Sequence, residues 1–264
     1  MKKRSDRSEA KLAKVDKILK EISKVKSWYH QIELAPGIIT PGVNNSTEVL
    51  KLLNLPINCR GLRVLDLGTR DGYFAFELEK RGAQVIAVDY LPKETTGFTV
   101  AQKILGNKNV NYKQDNLYNI TQKNYGTFDI VLFLGLLYHL PDPIRALKIV
   151  RQVCKGTMYI ETQGRNNAFL LPNGKLSTLD KISPILTDIS IMQFYPKNTL
   201  NNDHSNYWAP NMTCLVNMLE ETGFMVADKT INGNRLIAKC RIKEDRVLKY
   251  FMDIATGEML PKSS

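Results

Sequence analysis

Residues 62–89 constrain this chain more than any other stretch. They run Leu62-Arg-Val-Leu-Asp66-Leu-Gly68-Thr69-Arg70-Asp71-Gly72-Tyr73-Phe74 and, further on, Val85-Ile-Ala-Val-Asp89. The pattern is an apolar strand, a glycine turn, a helix, and a second strand that ends in a carboxylate. It is the opening half of a nucleotide-binding α/β sheet, in which the turn brings backbone close to a ligand and the final acid accepts hydrogen bonds from both ribose hydroxyls.

The spacing of acid and glycines narrows the ligand. A dinucleotide fingerprint needs Gly-x-Gly-x-x-Gly, so that pyrophosphate rests on a helix N-terminus. Here the order is Asp66-x-Gly68-x-Arg70-x-Gly72, without a third glycine. An acid two residues before the first glycine repels pyrophosphate but suits a ligand with an ammonium group. S-adenosylmethionine (SAM) carries an ammonium, a carboxylate, a ribose and an adenine. The stretch resembles motif I of the class I SAM-dependent methyltransferases, with Arg70 where that family usually has its middle glycine.

Around this motif the chain alternates between strands and helices. Strands are expected at 63–67, 84–89, 109–112, 128–133 and 157–162, with helices at 72–81, 98–105, 143–154 and 210–222. The run 128–133 is almost continuously apolar, as a parallel strand buried on both faces requires. Two strand-like segments, 224–231 and 234–242, flank Asn232-Gly233, a strong hairpin signal. An antiparallel hairpin closing an otherwise parallel sheet marks the seven-stranded methyltransferase sheet. The expected fold class is therefore α/β, a Rossmann-like sheet with helices on both faces.

The chain has 264 residues and a net charge of +11. That length suits one domain with appendages. Residues 1–29 hold ten basic and four acidic side chains, more than half the net charge. Leu12, Val15, Ile18, Leu19, Ile22, Val25, Trp28 and Tyr29 form an apolar stripe at helical spacing, so an amphipathic helix is expected over 8–29. Its basic face suits phosphates or plain solvation, and its stripe packs on the catalytic domain or on a second copy, giving a homodimer. The expected organisation is a helix and lead-in at 1–42, a methyltransferase domain at 43–245 and a tail at 246–264, with a further helix near 244–254.

No stretch is long and apolar enough to span a membrane, and the charged start shows no signal peptide, so a cytoplasmic location is expected. Cys59, Cys154, Cys214 and Cys240 lie far apart, which suits isolated thiols and neither a metal site nor a disulfide framework.

A closer resemblance rests on Trp28-x-His30 with Ile39-Thr40-Pro41-Gly42, Leu137-Tyr138-His139, Ile160-Glu161-Thr162, Phe194-Tyr195-Pro196 and Asp203-His204-Ser205-Asn206-Tyr207-Trp208. Together they resemble the family that includes the tRNA wobble-uridine carboxymethyltransferase and its small-molecule-like relatives. The resemblance implies a donor pocket of Asp66, Gly68, Arg70, Gly72, Asp89, Tyr90, Asp115, Asn116, Gly135 and Tyr138, with Asp115 and Asn116 at the adenine. It departs after Tyr138-His139, where Leu140-Pro141 replaces the basic residues expected beside a carboxylated donor. That favours ordinary methyl transfer.

His139, just after the fourth strand, is the leading candidate for a general base, with Glu161 and His204 as further catalytic candidates. The long segment 163–209 is expected to be an acceptor lid. Trp28, His30, Tyr195, Asn206 and Trp208 are candidate acceptor contacts. The acceptor is then a hydroxyl or amine of a small molecule such as a sugar. A wobble uridine of tRNA is the alternative, and a non-catalytic SAM-fold partner protein is the third reading.

Overall fold

The computed structural model describes residues 2–165 and 168–243, with side chains from Leu12 onward except that of Thr187. The expected helix at 244–254 and the tail lie outside the described residues. The helices are α1 Lys2–Ser23, α2 Thr47–Leu53, α3 Tyr73–Lys80, α4 Phe98–Leu105, α5 Gln122–Tyr125, α6 Pro143–Val153 and α7 Met212–Glu221. Seven longer strands, β1 Arg63–Leu67, β2 Gln84–Asp89, β3 Val110–Gln114, β4 Phe128–Leu134, β5 Cys154–Gln163, β6 Phe224–Asn232 and β7 Arg235–Ile242, form one sheet in the order β6-β7-β5-β4-β1-β2-β3. The two C-terminal strands run antiparallel to each other, and β7 runs antiparallel to β5. The expected α/β sheet with its closing hairpin is present.

The chain divides into two compact units at Asn116/Leu117. In the first, β1–β2 and β2–β3 are parallel pairs. Val64, Leu65 and Leu67 of β1 and Val85, Ala87 and Val88 of β2 are buried on alternating sides, so this part of the sheet is covered on both faces. In the second, β4 pairs parallel with β5, and Ile130, Val131, Leu132 and Phe133 are all buried, as the apolar run predicts.

Three of the boundaries that differ from the sequence reading have a visible cause. β5 extends to 154–163 because Phe128 of β4 pairs with Cys154 at one end and Arg235 of β7 pairs with Gln163 at the other. The C-terminal hairpin closes one residue later than expected, with Asn232 opposite Arg235 and Gly233 at φ 59°. Glycine with positive φ at the first turn position suits a type II′ turn, so Asn232 belongs to the strand. The N-terminal helix stops at Ser23, where residues through 29 were expected. Trp28 folds back and its indole N–H donates to the Ile22 carbonyl at 3.1 Å, satisfying one of the acceptors that a helix end leaves open. Ile18 and Ile22 of the stripe are buried within the chain, while Leu12 and Leu19 are exposed.

The segment 163–209 is more ordered than its composition suggests. It contains a hairpin of 168–170 with 176–178, and the strand 192–194 pairs with 208–210. Tyr195, Leu200 and Ala209 form a small core of their own, with Leu170 against it.

Asp71, a residue without an assigned role in the sequence reading, is fully buried. Its Oδ2 accepts the backbone N–H groups of Tyr29 (2.7 Å) and His30 (2.8 Å), and its Oδ1 accepts that of Gly97 (2.8 Å). One carboxylate thus ties the glycine turn to the lead-in segment and to the start of α4. Trp28 lies on the same junction: a Cβ on Gly97 would meet its ring at 2.1 Å. Replacing Asp71 with alanine strands three buried N–H donors. Hydrogen bonds to a charged group are worth about 1.5–3 kcal/mol each and are not additive. Asp71→Ala is expected to lower the unfolding free energy by roughly 3–5 kcal/mol in urea titration, and a loss below about 1 kcal/mol would remove Asp71 as the brace.

Candidate active site

In the first unit the turn after β1 is held open by backbone conformation. Gly68 (φ 74°), Arg70 (φ 52°) and Gly72 (φ 89°) all adopt left-handed geometry. Arg70 therefore occupies the conformation that a glycine would take without strain, which resolves the departure from motif I. Its N–H donates to Asp89 Oδ2 at 2.8 Å, and its guanidinium lies 5.8 Å from the Tyr29 ring centre. Gly68 and Thr69 donate their N–H groups to the Val88 carbonyl (2.8 and 3.1 Å), fixing the turn against the end of β2.

Two acids expected at the donor, Asp66 and Asp89, flank this turn. Asp66 is buried, and its Oδ2 has no hydrogen-bond partner. Burial pushes its pKa up to about 7, with the nearby Asp89 charge adding to the shift and a hydrogen bond from Thr69 opposing it. An orphaned buried acceptor of this kind fits a ligand ammonium. Asp89 uses one oxygen for Arg70 N–H and the other for Leu91 N–H (3.1 Å), and each carboxylate oxygen retains a second lone pair for a ribose hydroxyl. Asp115 donates its N–H to the Asp89 carbonyl, Asn116 donates to Asp115 Oδ1, and the Tyr90 ring is 67% exposed and open to stacking.

His30 is also buried in this unit, stacked on Tyr73 at 5.9 Å. Burial lowers its pKa to about 4, so at neutral pH it is an uncharged ring in an aromatic cluster. Thr40 bridges to it, donating its hydroxyl to the His30 carbonyl and accepting the Ile32 N–H. Gly42 approaches so closely that a Cβ would lie 2.2 Å from the His30 carbonyl. The two halves of the Trp28-x-His30 and Thr40-Pro41-Gly42 pattern thus meet as a backbone clasp. Trp28 is 4% exposed with its N–H already used, so the expected acceptor contact becomes a packing role.

In the second unit the ends of β4 and β5 carry the polar chemistry. Gly135 (φ 66°) donates its N–H to the Glu161 carbonyl at 2.9 Å. Burial raises the pKa of the Glu161 carboxyl, while Arg235, with Nε 3.3 Å from Oε1, pulls it back. The Arg235 guanidinium also lies 5.3 Å from the Tyr138 ring centre. Gln163, opposite Arg235 in the β5–β7 register, is fully buried with both polar atoms of its amide unpartnered. Because residues alternate along a strand, Gln163 shares its face with Glu161.

His139 is half-buried against Tyr138, with ring centres 4.1 Å apart. Its Nδ1 lies 2.9 Å from Ser205 Oγ and 3.2 Å from the Ser205 carbonyl. Tyr207 N–H donates to the Tyr138 carbonyl (2.8 Å) and the Trp208 indole N–H to the Leu140 carbonyl (3.1 Å). The insertion therefore grips the loop after β4 at three successive residues. His204 is exposed beside Ser205.

Two other expected acceptor contacts turn out to be internal. Tyr195 is 1% exposed in the insertion's own core, its hydroxyl donating to Gln193 and accepting from Arg165. Asn206 is buried and donates to the Leu200 carbonyl. Trp208 is half-buried against Phe194. An aromatic-rich segment with no clear period reads as a binding surface, yet here Tyr195 joins Leu200 and Ala209 in a local core. Asp71, Gln163, Arg235 and the Asp203–Ser205 pair were missed. Only Asp203-x-Ser205 carries a local signal, since an aspartate commonly hydrogen-bonds the backbone two residues on.

A seven-stranded sheet closed by an antiparallel hairpin, with an acid-bearing glycine turn after β1, is the Rossmann-like fold of methyltransferases. The Methyltransferase domain family matches residues 43–229, and the chain belongs to it. It is 28% identical over 194 residues to a tRNA U34 carboxymethyltransferase of Dichelobacter nodosus, covering 70% of this chain and 54% of that protein. It is 26% identical over 171 residues to a ubiquinone biosynthesis O-methyltransferase of Aeromonas salmonicida, covering 64% and 65%. The chain thus spans roughly half to two thirds of the length of these relatives. In fold it is similar to the N-terminal domain of EvdMO1, crystallised with S-adenosylhomocysteine and D-fucose (TM-score 0.58, 17% identity, 87% of this chain and 97% of that one). Among the described residues no helix is long and apolar enough to cross a membrane.

The position of Asp66 gives donor binding a pH dependence. Its carboxyl is raised to about 7, so it is mostly protonated at pH 6 and ionised above neutrality. A cationic ligand favours the ionised form, and SAM affinity is expected to rise roughly fivefold from pH 6 to pH 7, with protons released on binding. Calorimetry in buffers of different ionisation enthalpy checks this. Asp66→Asn should flatten the dependence, and a pH-independent affinity in the native chain would contradict the assignment.

Proposed function

We propose that this methyltransferase transfers a methyl group from SAM to a hydroxyl or amine of a small polar acceptor. The observation that carries this reading is the buried polar group at the end of β5. An unpartnered buried amide costs about 1–3 kcal/mol per group, so Gln163 calls for a polar partner. Beside it Glu161 accepts hydrogen bonds and Arg235 donates them, a mixture that suits the alternating donors and acceptors of a polyol or sugar. SAM bound at Asp66 and Asp89 supplies an already activated methyl sulfonium, so the protein's remaining tasks are alignment and removal of one proton.

In this reading His139 takes the proton. Glu161, held by Arg235, anchors an acceptor hydroxyl, and the insertion 163–209 selects the acceptor. A wobble uridine of tRNA is the second reading. The first relative described above is a tRNA enzyme, and α1 belongs to the strongly basic N-terminal stretch. Methyl or carboxymethyl transfer to RNA would then use that helix against phosphates.

The reading is tested by incubating the protein with SAM and a panel of sugars, phenols, small amines and unmodified tRNA, with product detection by mass spectrometry. Methylation of a small polar acceptor is expected, and modification of tRNA alone would overturn it. With the acceptor identified, Gln163→Leu should raise its KM while leaving SAM affinity within about threefold, or roughly 0.7 kcal/mol. His139→Ala should lower kcat by about 10²–10⁴ if the ring is the base.

A further inference from the structure

The insertion supplies more than grip to the loop after β4. Ser205 Oγ stands between two groups: it lies 2.9 Å from His139 Nδ1 and donates to Asp203 Oδ1 at 2.7 Å. Asp203 Oδ1 also accepts the Ser205 backbone N–H at 2.8 Å, which locks the serine over the aspartate. The hydrogen bond from Ser205 holds the Asp203 carboxyl below the usual range. It is therefore ionised and acceptor-only at neutral pH.

These bonds leave one arrangement of protons. A serine hydroxyl has a single proton, and here it points to Asp203. Toward His139 the same oxygen is then an acceptor. The second neighbour of Nδ1, the Ser205 carbonyl at 3.2 Å, only accepts. Both contacts are satisfied when Nδ1 carries a hydrogen, and both are repulsive when it does not. The neutral ring thus has its lone pair on Nε2.

We propose that Ser205 and Asp203 are positioning residues for His139, fixing the Nδ1–H tautomer and the ring orientation so that Nε2 is the basic atom. The catalytic consequence rests on the reading of His139 as the base. The acceptor's proton moves to Nε2, and the imidazolium so formed keeps its Nδ1–H on Ser205, with the Asp203 charge one bond further out. Among the described groups against the ring, Tyr138 stacks on it and Asp203, one hydrogen bond beyond Ser205, supplies a negative charge. Because Asp203 and Ser205 belong to the insertion, the segment that selects the acceptor also sets the base. An insertion displaced from the loop leaves an imidazole without its fixed tautomer.

The test is two-bond proton–nitrogen correlation NMR on the full chain with labelled histidine, assigned with His30→Gln, His139→Gln and His204→Gln. In the native chain at a pH where the ring is neutral, His139 is expected to show a protonated Nδ1 and an unprotonated Nε2. Ser205→Ala should shift it toward the Nε2–H form, and Asp203→Asn should lower its pKa by roughly half a unit or more, because an anionic neighbour is lost. Ser205→Thr, which keeps the hydroxyl, should restore the native pattern. Both positions are exposed, so unchanged thermal melting is expected and separates the effect from unfolding. An Nε2–H tautomer in the native chain, or one that Ser205→Ala does not change, overturns the proposal. A fixed Nδ1–H tautomer with fully active His139→Ala leaves the positioning intact and overturns the reading of His139 as the base.

Discussion

A single buried carboxylate, Asp71, holds the glycine turn, the lead-in segment and the start of α4 together. Its two oxygens take three backbone N–H groups from segments 26 to 42 residues away in sequence. Backbone donors buried without a partner are costly, so Asp71 fixes the lead-in segment, the glycine turn and the start of α4 to one another. Trp28 over Gly97 and the Thr40–His30–Gly42 clasp close the same junction from the apolar side. The N-terminal segment is therefore part of the framework around the glycine turn.

That framework explains how Arg70 stands where a glycine is usual. A left-handed non-glycine residue costs on the order of 1–2 kcal/mol. Its N–H bond to Asp89 and the neighbouring turn bonds to Val88 hold the conformation. The bond also orients the Asp89 carboxylate, so the strained residue and the acid after β2 act as one unit. In the other unit an analogous economy appears: Tyr207 and Trp208 pin the loop after β4 through backbone carbonyls, and Ser205 between them and Asp203 reaches the His139 ring.

Much of the fold was legible in the sequence because its signals are local. β1 and β2 begin and end at the residues the hydrophobic pattern gives, and Pro143 opens α6 as a first-turn proline should. Errors arose where distant residues decide. Pairing with β4 and β7 lengthens β5, the return of Trp28 ends α1, and a one-residue shift moves the hairpin turn from Asn232-Gly233 to Gly233-Asn234. The site divides the same way. Asp66 and Asp89 are visible from spacing along adjacent strands. Asp71, Gln163 and Arg235 are not, because a buried hydrogen-bond hub and a cross-strand neighbour leave no periodic trace. Tyr195 and Asn206 misled for the converse reason: polar and aromatic residues in an irregular segment look like a binding surface until their partners within that segment are known.

The central claim is that the turn after β1 and the acid after β2 together bind SAM, and titration calorimetry on Asp89→Ala tests it most directly. The account predicts one SAM per chain for the native protein and a loss of roughly 2–3 kcal/mol in the variant, about thirty- to 150-fold in affinity. Unchanged affinity in Asp89→Ala, or binding of NADH in place of SAM, would contradict it.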